Sequence, residues 1–155
     1  MGSTKHSIDV QIASRLAGIP SERAFKKWLR AALPKSAALT VRVVNAAEGR
    51  NLNSAFRGKD YATNVLTFVY HEGNPHLLVG DIVLCAPIVA REAREQSKLL
   101  EAHYAHLTVH GALHLAGLDH EKARAAQAME KKEIAILAAL GVANPYSIDE
   151  LMEGF

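Results

Sequence analysis

Apolar Ile8, Val10 and Ile12 alternate with polar neighbours. This period of two predicts a half-buried strand over residues 7–13. After Gly18–Pro20 the period lengthens. Ala24, Phe25, Trp28, Leu29 and Leu33 fall on one helical face and Arg23, Lys26, Lys27 and Arg30 on the other, with Ser21 placed to cap the start and Pro34 to end the helix. Trp28 is read as core. The β-branched run Leu39–Asn45 predicts a second strand, and Asn45 with Glu48 has the spacing of a capping pair for a helix over 46–56 that Gly58 stops. Val65–Tyr70 and Leu77–Cys85 read as two strands joined by a link of hairpin length. From Pro87 onward the pattern is helical, over 87–97, 99–116 and 121–140, with Gly141 as the last stop. The expectation is an α+β fold: one domain over residues 1–155, with a small mixed sheet of about four strands packed with helices.

Composition changes this picture little. At 155 residues and 49% hydrophobic content the chain can bury one proper core. The single cysteine, Cys85, lies in an apolar run and cannot form an intramolecular disulfide, which suggests a reducing compartment. The N-terminal residues have no apolar signal core, and the longest apolar run, Ile134–Ala143, is about half of a membrane span. A cytoplasmic protein with no membrane attachment is expected.

Charge changes it more. Residues 1–59 hold 11 Lys and Arg against 3 acids, a net +8, whereas residues 60–155 hold 7 against 13, a net −6. Such asymmetry points to an acidic partner for the first half, nucleic acid being the usual one, although a solvated surface accounts for most charge runs.

The chemistry concentrates in His110–His120, HGALHLAGLDH. Residues four apart on a helix share a face, so His110 and His114 aim their imidazoles at one point. Gly117 is placed to adopt the left-handed conformation that ends a helix and turns the chain so that His120 arrives as a third nitrogen. Three neutral imidazoles suit one Zn2+ with a fourth position left for water, the pattern of a catalytic site. Nickel or copper would bind the same set. His103 and His106 share the stripe, within an arc of about 80° at 100° per residue. His103, however, lies about 10 Å along the axis from His110, and both His103 and His106 read as polar wall or boundary residues. The spacing is that of metzincin proteases, but where those enzymes keep a glutamate as general base this chain has Gly111.

H-G-x-L-H-L-x-G-x-D-H resembles the signature of the YbeY family of metal-dependent endoribonucleases. LNSAFRGKDYATNVLTF (Leu52–Phe68) and GDIVLC (Gly80–Cys85) resemble two further family blocks, with weaker similarity through Met129, Glu130 and Glu133. Val69 stands where a proline is common. The resemblance implies a single-strand-specific endoribonuclease of ribosomal RNA processing, particularly small-subunit 3′-end maturation and ribosome quality control. Ribosomal RNA is the implied partner, with ribosomal proteins or a ribosome-associated GTPase beside it. It also implies that Arg57 lines the cleft of the histidines, where a guanidinium would clamp phosphate oxygens. A salt bridge to Asp60 or a helix-end cap is the structural alternative. Asp119, beside the third ligand, is read as an acceptor that orients an imidazole. A non-catalytic zinc-containing assembly factor is the rival reading, and a metallopeptidase is disfavoured by Gly111.

Overall fold

A computed structural model describes residues 5–33, 36–70, 76–117 and 123–146. Four strands, β1 (His6–Ile12), β2 (Ser36–Val44), β3 (Val65–Tyr70) and β4 (Leu77–Cys85), form one sheet in the order β1-β2-β4-β3. β1 pairs with β2 and β2 with β4 in parallel, while β3 runs antiparallel along β4 with Val65 opposite Leu84. Five helices accompany them: α1 (Glu22–Ala32), α2 (Ala46–Arg57), α3 (Ala86–Glu95), α4 (Leu100–Leu115) and α5 (Ala123–Ala139). The expected mixed α+β architecture is present.

Side chains alternate across a strand, so the sheet has two distinct faces. Leu39, Val41 and Val43 of β2 and Leu78, Ile82 and Leu84 of β4 are buried in the main core with α1 and α4. Within it Phe25 meets both Trp28 and Tyr104 edge to face, at centroid distances of 5.5 and 6.1 Å. A smaller core of Val44, Leu66, Val83 and Cys85 lies on the other face, with Leu52 of α2 against it.

Local signals set most element ends. Ser21 Oγ accepts from the Ala24 amide at 3.2 Å, capping α1 as expected. Gly58, Gly117 and Gly141 take φ values of +68, +97 and +81°, so α2, α4 and α5 each stop at a left-handed glycine. The capping pair at α2 does not form. Asn45 makes no side-chain cap bond, and Glu48 instead accepts two bonds from the Arg42 guanidinium. Arg42 leaves β2 on the face that α2 covers, and a bidentate ion pair outcompetes a neutral cap bond. β2 begins at Ser36, three residues before the β-branched run, because Ala37 pairs with His6 and fills core space.

α4 is the element on which α1, α3 and α5 converge. Tyr104, Ala105, Leu107, Val109, Ala112, Leu113 and Leu115 are all buried. Gly111 and Gly80 permit this depth. A Cβ on Gly111 would lie 3.3 Å from Thr67 Cγ2 and 3.4 Å from Ile82 Cγ2; one on Gly80 would lie 2.6 Å from the Phe68 carbonyl oxygen and 3.2 Å from Leu115 Cδ2. Gly111 therefore faces the sheet, and the position homologous in spacing to a protease base points away from the histidine stripe.

Candidate metal centre

The one polar stripe on α4 carries His103, His106, His110 and His114. Its neighbours give these rings different tasks. His103, 3% exposed, places Nε2 3.0 Å from a carboxylate oxygen of Glu92 on α3. The same carboxylate accepts from the Asn64 side chain at 3.1 Å. Burial pushes the His103 imidazole below its ordinary value, with Glu92 pulling the other way. It is a wall residue, as its distance along the helix suggests.

His110, 30% exposed, directs Nδ1 at Oε1 of Glu133. Glu133 comes from α5, whose inward face holds Met129, Glu133 and Leu137 at four-residue intervals, all 1% exposed or less. A carboxylate so placed needs donors. Besides His110 it has Tyr146, whose hydroxyl donates to Oε2 at 2.6 Å, and His106, whose Nε2 lies 3.4 Å from Oε2 and 3.1 Å from the tyrosine oxygen. Burial disfavours the charged carboxylate, but bonds from His106, His110 and Tyr146 outweigh it and hold the Glu133 carboxyl down at about 2. Tyr146 moves the opposite way, raised by burial and by the anion beside it. One ligand-type atom from each of His106, His110 and Glu133 lies within 4.8 Å of the others, a group able to hold a metal ion. A cleft of about 570 Å³ opens beside it, lined among others by Asn64, Glu92, Lys98, His103, His106 and Tyr146.

Of the residues singled out from sequence, His114 stands exposed one turn beyond His110, near the end of α4. His120 and Asp119 lie outside the described residues. Arg57 occupies the last turn of α2 and is exposed. Its alternative partner is taken, because Arg50 binds Asp60 through two bonds of 2.8 and 3.0 Å. Phe56, its neighbour, stacks edge to face on Phe68 of β3 at 5.2 Å, while the adjacent Thr67 faces Gly111 of α4. The end of α2 and the histidine-bearing part of α4 thus touch opposite faces of one edge strand. Asp81 accepts from the Tyr70 hydroxyl at 2.6 Å, a structural role.

Sequence reasoning gave no role to Glu133 or Tyr146. The signal for Glu133 was present: a lone acid in register with Met129 and Leu137 on an apolar helix face. Tyr146 carried none, since it reaches the site from an irregular segment.

A buried carboxylate meeting two imidazoles of one helix forms a group that could hold a metal ion, the feature of a metal-dependent class of protein. Comparison with known proteins makes the class specific. A family profile described as Endoribonuclease YbeY matches residues 9–141, and the chain belongs to this family. Proteins named Endoribonuclease YbeY from Stenotrophomonas maltophilia and Methylobacillus flagellatus are 52% and 53% identical, over 94% and 93% of this chain and 96% and 95% of theirs. One from Cupriavidus necator is 56% identical over 86% of this chain and 67% of its own. A Thermotoga maritima protein of known solution structure superposes with a TM-score of 0.55 at 26% identity, over 86% of this chain and 91% of that one.

Proposed function

We propose that this protein is a single-strand-specific, metal-dependent endoribonuclease that acts on ribosomal RNA during small-subunit 3′-end maturation and ribosome quality control. Membership of the YbeY family carries the reading, and the anchoring of His110 by a buried, ionised Glu133 supports it at the level of chemistry. His110, His114 and His120 would hold the ion, for which three imidazoles favour zinc. A divalent ion in such a site supplies Lewis acidity to a phosphoryl oxygen and eases the deprotonation of water.

The chain's own groups do the rest. Arg57, exposed and with no ion-pair partner among the described residues, offers a two-pronged donor for non-bridging phosphate oxygens. Its place across β3 from α4 suits a strand that wraps this edge of the sheet. Ribosomal proteins or a ribosome-associated GTPase would present the RNA. No helix among the described residues is long and apolar enough to cross a membrane.

The rival reading, a zinc-containing assembly factor without activity, needs a sealed structural site. The exposure of His114 favours the open one. Metal content and cleavage of single-stranded ribosomal RNA segments are to be measured for the unsubstituted protein, His114→Ala and Arg57→Glu. Expected are one bound ion per chain, loss of metal and cutting in His114→Ala with the fold kept, and loss of cutting with metal retained in Arg57→Glu. Unfolding of His114→Ala, or cutting that survives metal removal, would sink the proposal.

A further inference from the structure

Glu133 is the most deeply buried charged group described, at 0% exposure, and both its oxygens are engaged. The protons can be assigned one by one. An ionised carboxylate only accepts, so Nδ1 of His110 and the hydroxyl of Tyr146 are the donors. The Tyr146 oxygen, its proton committed to Glu133, then accepts from Nε2–H of His106. His110 is thereby the Nδ1–H tautomer, and its lone pair lies on Nε2, at the far side of the ring from the carboxylate.

We infer that Glu133, braced by Tyr146 and His106, is the positioning residue that fixes the tautomer and ring orientation of His110 for metal binding through Nε2, and is not itself a ligand. The inference rests on the reading above that His110 binds the metal. The other arrangement, an ion enclosed by His106, His110 and Glu133, would need two changes. The Nδ1 proton of His110 would leave, and His106 would give up the Nε2 proton that it donates to Tyr146, all beside a carboxylate that is itself fully buried. Moreover, a carboxylate behind a metal-binding imidazole raises its basicity, which gives the buried charge a use.

The test compares zinc affinity, by competition with a chromophoric chelator, in the unsubstituted protein, Glu133→Gln, Tyr146→Phe and His114→Ala, together with ring-nitrogen NMR of His110 in the zinc-loaded protein. Gln keeps the shape and an acceptor while removing the charge. Expected is a loss of affinity of roughly 10- to 100-fold for Glu133→Gln. A smaller, few-fold loss is expected for Tyr146→Phe, with the NMR placing the proton of His110 on Nδ1 and the metal on Nε2. The inference is overturned by a Glu133→Gln affinity within twofold of the parent, or by metal found on Nδ1 of His110. Should Glu133→Gln fail to fold, Tyr146→Phe and the NMR decide in the same way. His114→Ala separates the two levels: lost affinity there with none lost in Glu133→Gln rejects only the positioning role. Parental affinity in His114→Ala rejects the metal site of the proposed function.

Discussion

Position 111 separates this site from a protease site of similar spacing, and Gly111→Glu puts that difference to the test. The new side chain would not meet the histidine stripe of α4. It would enter the contact between α4 and the sheet, where even a Cβ comes within 3.3 Å of Thr67 and 3.4 Å of Ile82. Keeping a carboxyl neutral there at pH 7, against an ordinary value near 4.3, costs roughly 3–4 kcal/mol. Overpacking adds about 1–3 kcal/mol, and the better helix propensity of glutamate over glycine returns less than about 1 kcal/mol. The balance, about 3–6 kcal/mol, is comparable with the whole stability of a small domain, typically about 5–15 kcal/mol. Gly111→Ala carries no charge; its gain in propensity and its tight contacts nearly cancel, leaving a loss of about 0–2 kcal/mol. Urea denaturation followed by circular dichroism would rank the three proteins. A Gly111→Glu protein as stable as its parent, or one that digests casein in a zinc-dependent way, would refute the packing argument.

Other outcomes follow from the same contacts. Gly80→Ala drives a methyl group to 2.6 Å from a backbone oxygen that cannot rotate away, so about 1–3 kcal/mol of stability should be lost, read as a lower denaturation midpoint. His103 is held neutral mainly by burial, so its contribution is full above its unfolded value, about 6.5, and is lost as pH falls through the depressed folded value. Denaturation midpoints measured from pH 8 to pH 5 should therefore fall less steeply in His103→Gln, and equal slopes would exclude His103 as a source. If the ribose hydroxyl serves where no glutamate stands at position 111, an RNA with a deoxyribose at the cleaved position should be cut more slowly; full-rate cutting would remove that hydroxyl from the reaction.

Much of this was readable from the chain, for identifiable reasons. β3 and β4 span the expected residues because β-branched runs ended by turn signals leave little choice of boundary. Three helices stop where a glycine permits a left-handed residue. What escaped depends on partners distant in sequence. Glu48 has a capping residue's spacing but joins Arg42, six residues back on the neighbouring strand. The strand order places β4 between β2 and β3, a crossover that periodicity does not encode. The histidine stripe of α4 was legible in its spacing, yet the anion that holds His110 comes from a residue 23 positions further on, in α5.

Tyr146 lies five residues past the last position of the segment that defines the family. A shortened version ending at residue 141 would carry the whole segment by which such proteins are recognised and would still leave the buried carboxylate of Glu133 without its tyrosine donor. Domain boundaries drawn from motif matches alone would cut this protein inside the network that holds its buried charge.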